Sequence, residues 1–211
     1  MTRLAMTFVF IRHGEAADIE GRCIGHADAV LSDTGATAVQ TLATRWLEPN
    51  RANATLRPTR IVSSDLRRAF DSARILAAAW ELPIESDPQL REMHFGDWDG
   101  RVWSEIEATD DARLRAWTED WANLATPGGE GLADVMQRAR SWLNDVIDAA
   151  TLDAPVIAVV SHAGWIRAAL SVLLELPRAD IFSLSVDYAR ATIVSVGPSG
   201  VELIASNVAE I

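Results

Sequence analysis

Two histidines and several arginines stand directly after short apolar runs. Arg12, His13, Gly14 and Glu15 follow the run 8–11. Ser63, Ser64, Arg67 and Arg68 follow Ile61 and Val62. Ser161, His162, Ala163 and Gly164 follow the run 156–160. Arginine presents a planar fork of donors that suits phosphate oxygens, and it stays charged. A neutral imidazole can attack phosphorus, and a covalent intermediate divides a transfer into two easier steps. A second imidazole and the guanidinium groups can stabilise charge on the transferring group. A carboxylic acid eases departure of the leaving oxygen by protonating it. Glu92 lies just past a third extended run, 83–87, and can reach the same rim.

These residues need a scaffold that gathers strand ends. The runs 8–11, 61–62 and 156–160 are wholly apolar, as strands buried on both faces are. Between them lie helical stripes. Ser32 and Asp33 offer N-caps ahead of Val39, Leu42, Ala43, Trp46 and Leu47. Residues 66–80 read as a second helix. Leu132, Val135, Met136, Ala139, Leu143, Val146 and Ile147 mark a third, and 164–174 a fourth. Residues 191–196 and 201–205 read as closing strands joined by a Gly-Pro-Ser-Gly turn. The alternation predicts a three-layer α/β sandwich with a mainly parallel central sheet flanked by helices. In such sheets ligands bind at the carboxyl ends of the strands, where His13 and His162 fall. The whole chain, 1–211, reads as a single domain. Its Trp-rich stretch, roughly 90–130, is too long for a plain crossover and is expected to be an insertion covering one end of the sheet.

Other residues have blander readings. His26 is expected to be structural, and His94 either packs or positions Glu92. The eight tryptophans suit core and lid packing, with Trp98 and Trp103 as candidates to line a pocket. Asp97, Asp99 and the acids between 105 and 111 read as a solvated face. Composition excludes other chemistries. All 19 basic residues are Arg, so a P-loop lysine or a lysine Schiff base is ruled out. The single cysteine, Cys23, rules out an internal disulfide and a multi-cysteine metal site. A net charge of −11 argues against nucleic acid but not against a small phosphate ester held in a local basic pocket. Arg3 and the apolar stretch 4–11 resemble a short leader, but Arg12 and His13 follow at once with no small-residue cleavage pattern. A buried first strand and a cytoplasmic protein are expected.

Taken in order, Arg12-His13-Gly14-Glu15, Ser63 to Ala69, Glu92 with Phe95-Gly96 and Trp98-Asp99-Gly100, Pro127-Gly128-Gly129-Glu130, and Ser161-His162-Ala163-Gly164 resemble the histidine phosphatase superfamily, also called phosphoglycerate mutase-like. The resemblance runs from about residue 8 to about 174. It implies a phosphohistidine mechanism. His13 takes the phosphoryl group, Arg12, Arg68 and His162 hold it, and Glu92 acts as acid and then base, with no metal and no cofactor. The run from Gly21 to His26, with Asp28 and Leu31, is similar to alpha-ribazole phosphatases; Gly25, within it, and Trp98 are the substrate-binding candidates. Four departures stand out: Ala16 for Thr, Asp18 near the family's Asn, Asp71-Ser72 for Gln-Thr, and Ala163 for Gly. The short chain and the Phe95 to Gly100 run favour a metal-independent phosphomonoesterase, with alpha-ribazole 5'-phosphate as one candidate substrate. A phosphoglycerate mutase-type isomerase and a non-catalytic phosphate-binding module are the alternatives. The partner expected is a small phosphorylated metabolite, with neither nucleic acid nor membrane, and a homodimer is the quaternary expectation.

Overall fold

The structure, a computed structural model, describes residues 5–48, 56–149 and 155–209. Arg3 and Leu4 lie outside the described residues. Among the described residues, six strands form one sheet in the order β3-β2-β4-β1-β5-β6: β1 (Met6–Arg12), β2 (Arg60–Ser63), β3 (Ile84–Ser86), β4 (Val156–Ser161), β5 (Ala191–Gly197) and β6 (Gly200–Val208). The first four are parallel, β5 runs antiparallel to β1, and β6 returns antiparallel to β5. The sheet is therefore mixed, with the expected parallel part at its centre.

Side chains alternate across a strand, so β1 feeds two cores. Phe8 and Phe10 pack with Val62, Ile157 and Val159 against α4 (Leu132–Ala149) and α5 (Ala163–Leu173). Val9 and Ile11 pack with Ile61, Ala158 and Val160 against α1 (Asp33–Trp46) and α2 (Arg67–Trp80). These are the three layers. The hydroxyl of Ser32 caps α1 by accepting from the Gly35 N–H, as its sequence position predicts.

Between β3 and α4 the chain leaves the sheet. Two 3-10 turns lead into α3 (Trp103–Glu119), which kinks at Asp110. This segment has a small core of its own, where Trp98 and Ile106 pack on Cys23 with Phe95, Trp103, Leu114 and Trp117 at its margin. It is tied to the 21–27 loop through the backbone: Cys23 N–H donates to Arg101 O, Gly100 N–H to Cys23 O and Trp103 N–H to Gly21 O. Among the described residues, no helix is long and apolar enough to cross a membrane.

Candidate active site

Strand register assembles the site. Arg12 pairs with Ser161 across β1 and β4, and Ser63 lies beside Val160 across β2 and β4. The next residues, His13, His162 and Ser64, therefore leave the sheet at one level. Backbone bonds from His13 N–H to Ser161 O and from Ser64 N–H to Val160 O hold them there.

His13 and His162 sit edge to face with ring centroids 4.9 Å apart, and both are buried. His13 Nδ1 lies 2.6 Å from the Gly14 carbonyl oxygen. A carbonyl only accepts, so Nδ1 carries the hydrogen and Nε2 holds a free lone pair. Arg68 confirms the tautomer, since its Nε–H donates to His13 Nε2 at 3.3 Å. Burial, then the charge of Arg68, pushes the His13 imidazole well below the usual 6.5, with Arg12 adding to the effect and the Gly14 bond opposing it. His162 is lowered in the same way, by burial first and then by Arg68. Both rings are neutral at pH 7. The Ser64 hydroxyl lies 2.9 Å from His162 Nε2 and accepts from the Leu66 N–H, while His162 Nδ1 has no partner among the described residues.

Arg68 is 2% exposed, and its position in the first turn of α2 runs against the helix dipole. It is held by backbone oxygens, with Nη2 donating to Gly25 O at 2.6 Å and Nη1 to Ala27 O at 3.0 Å. Those carbonyls are fixed by Asp99, whose carboxylate accepts from the N–H groups of Gly25, His26 and Ala27. Burial pushes the Arg68 guanidinium down, and Glu92, Asp28, Asp99 and Tyr188 counter it. Asp28 also accepts from the Arg67 N–H, offsetting the charge at the α2 N-terminus. Arg12 lies 3.6 Å over the Tyr188 ring and donates Nη1 to Val186 O, while its Nε is buried with no partner among the described residues. Tyr188 also lies 5.5 Å, ring to ring, from His13.

Glu92 completes the rim. Its Oε2 accepts from Gly164 N–H at 3.1 Å, and its Oε1 from Trp165 N–H at 3.2 Å and Met93 N–H at 2.9 Å. The carboxylate thus sits on the N-terminus of α5, where a negative charge is favoured. A Cβ on Gly164 would come 2.3 Å from Glu92 Oε1, so this glycine is required by the carboxylate above it.

Of the sequence candidates, His13, His162, Arg12, Arg68 and Glu92 converge. Gly25 lies at the site as a backbone ligand of Arg68. Trp98 needs correcting: its indole is fully buried in the lid core and donates to Asp110, so it presents no surface to a substrate. Asp99 is not part of a solvated face, because its oxygens are spent on the loop that carries Arg68. Sequence reasoning missed Tyr188, the single tyrosine, which lies in an irregular stretch before β5. The departures fit their places. Asp18 is exposed, and Ser72 accepts from Gly14 N–H while donating to Arg68 O, joining the two loops.

A fold of this topology with two neutral histidines, the buried Arg68 and the half-buried Arg12 around its strand ends suits phosphoryl transfer. The profile of the histidine phosphatase superfamily (branch 1) matches residues 8–209. The chain is 36% identical over 184 residues to glucosyl-3-phosphoglycerate phosphatase of Mycobacterium tuberculosis (strain H37Rv), covering 83% of this chain and 78% of that one. It is 30% identical to the adenosylcobalamin/alpha-ribazole phosphatase of Salmonella typhimurium, covering 86% of each. The alpha-ribazole phosphatase of Shigella flexneri superposes with a TM-score of 0.86 at 26% identity, covering 98% of both chains. The chain belongs to the histidine phosphatase superfamily. Within it, the chain falls in the phosphatase branch, as a phosphomonoester hydrolase.

Proposed function

We propose that the protein hydrolyses phosphate monoesters of small metabolites through a phosphohistidine on His13. The observation that carries this reading is the 2.6 Å Nδ1–H bond to Gly14 O, which leaves Nε2 as an aimed lone pair beside Arg68. An entering phosphate takes over the Arg68 Nε donor. Arg12 and the unpaired Nδ1 of His162 supply further donors; with Ser64 donating to its Nε2, His162 carries its hydrogen on Nδ1. Nε2 attacks phosphorus, the phosphorus–oxygen bond to the alcohol breaks, and Glu92 in its acid form gives its proton to the leaving oxygen. The Glu92 carboxylate then takes a proton from water as that water attacks the phosphohistidine. The phosphorus–nitrogen bond breaks, and His13 and inorganic phosphate are released. Relatives named as phosphatases favour water over a second hydroxyl as the acceptor. The substrates in their names, glucosyl-3-phosphoglycerate and alpha-ribazole 5'-phosphate, are the first to try.

Hydrolysis of p-nitrophenyl phosphate is expected to survive EDTA, to be inhibited by vanadate and to vanish in His13→Ala. Glu92→Gln is expected to slow alkyl phosphates by about a hundredfold or more and p-nitrophenyl phosphate far less, because a good leaving group does not need the proton. Equal losses on both substrates would remove Glu92 from the acid role.

A further inference from the structure

Glu92 faces two ways. Its carboxylate caps α5 beside the phosphate site, and it also lines a pocket of about 200 Å³ between the lid and α5. The group attached to the leaving oxygen must lie where the acid can reach that oxygen, and this pocket shares Glu92 and Gly164 with the site. Its walls include Met93, Phe95, Trp117, Trp121 and Phe182, with Arg167 as its one cation among the described residues. Trp121 and Phe182 meet edge to face at 4.4 Å, and the Arg167 guanidinium lies 5.4 Å over the Phe182 ring. Arg167 donates Nε to Leu184 O and makes no other hydrogen bond among the described residues. Phe182 is nevertheless 61% exposed, with much of a large ring left in solvent.

We propose that this pocket takes an aromatic ring of the leaving alcohol, so that the preferred substrates are phosphate monoesters of ring-bearing alcohols, with Trp121, Phe182 and Arg167 setting the preference. The inference rests on the hydrolase reading above. A ring adds to the existing cluster of guanidinium over phenyl and phenyl edge to face with indole, and aromatic rings and guanidinium groups attract one another in such arrangements. A polyhydroxylated alcohol fares worse. Glu92 and Arg167 are the charged side chains lining the pocket, and hydroxyls buried against the rest would lose their water partners without replacement.

The test compares two alkyl phosphates of similar leaving-group acidity, 2-(1-naphthyl)ethyl phosphate and glycerol 1-phosphate, with p-nitrophenyl phosphate as a general activity probe. The ratio of kcat/KM for the naphthyl ester over the glycerol ester is expected to exceed about tenfold. It should drop several-fold in Phe182→Ala and in Trp121→Ala. The exposure of Phe182 makes its variant safe for folding, and glycerol 1-phosphate turnover, which fills no ring pocket, checks both proteins. An active enzyme with a ratio near unity, or a ratio that neither variant moves, overturns the pocket assignment and leaves the hydrolase reading in place. No turnover of any of the three esters overturns the hydrolase reading and this inference with it.

Discussion

A single backbone carbonyl decides which nitrogen of His13 is free. Because Gly14 O can only accept, the nucleophile needs no carboxylate to orient it, and burial together with two arginines keeps it uncharged. The chain's other nucleophile is treated in the opposite way. Cys23 is fully buried under the lid, and burial, then the charge of Asp99, pushes its thiol up to about 12. A thiol so raised from 9.0 holds about a thousandfold less thiolate at a given pH. Native protein should therefore leave Ellman's reagent unreacted over minutes, and unfolding in guanidinium should release one thiol at once. Rapid reaction of the native protein would show that the lid opens over Cys23. The two residues also differ in legibility. His13 was readable because an apolar run ended at Arg-His-Gly. Asp99 was misread, since nothing in Trp-Asp-Gly signals that its carboxylate turns back onto three amides more than 70 residues away in sequence.

At the scale of elements, the lid and α4 hold Glu92 in place from outside the site. Arg138 on α4 uses all five of its N–H donors. Nε and Nη2 grip the Glu130 carboxylate, Nη1 donates to Gln89 O and Arg91 O, and Nη2 also reaches Glu92 O. His26 Nε2 lies 2.9 Å from the same Glu92 carbonyl and donates to it. Arg138→Met keeps the apolar stem and frees the 89–92 segment. It should cost about 2 kcal/mol in urea unfolding, through charged hydrogen bonds lost and Glu130 left unpaired. Its kcat on alkyl phosphates should fall about tenfold, with p-nitrophenyl phosphate nearly spared. Equal loss on both esters would reduce Arg138 to a purely structural role. The sheet and its helices were legible because apolar periods of two and 3.6 residues carry them. The lid contacts were not, because Trp98 and Trp103 look alike in sequence, yet Trp98 is fully buried with its indole donating to Asp110 at the α3 kink and Trp103 is only partly buried. Tyr188 was hidden for a related reason, since it stands outside any periodic run and meets Arg12 only through the sheet.

For the molecule as a whole, the site sets how stability depends on pH. His13 and His162 both ionise well below 6.5 in the folded protein, whereas in the unfolded chain they ionise near that value. The unfolded state therefore binds protons that the folded state refuses as pH falls through 6.5. Stability is complete above that point and declines below it until the folded pKa values are reached. Each histidine contributes a loss of about 1.4 kcal/mol per pH unit across this window. The net charge of −11 pulls the other way, because partial neutralisation of an acidic protein relieves repulsion and on its own would raise stability. Asp65 and Glu85 are both held below the usual carboxylate range, by hydrogen bonds from Arg91 and Arg60 respectively, and so lose their contribution only at lower pH. The interval from about pH 6.5 to about pH 5 thus isolates the lowered imidazoles, His13, His162 and the half-buried His26, which burial also holds below 6.5. Urea unfolding across it should show stability falling with acid in the parent protein. His162→Asn should flatten the slope by about a third, since one of three lowered imidazoles is gone and His13 and His26 remain. A slope that neither His162→Asn nor His13→Asn changes would mean that these imidazoles take up protons in the folded state. The neutral nucleophile on which the transfer depends would then be absent.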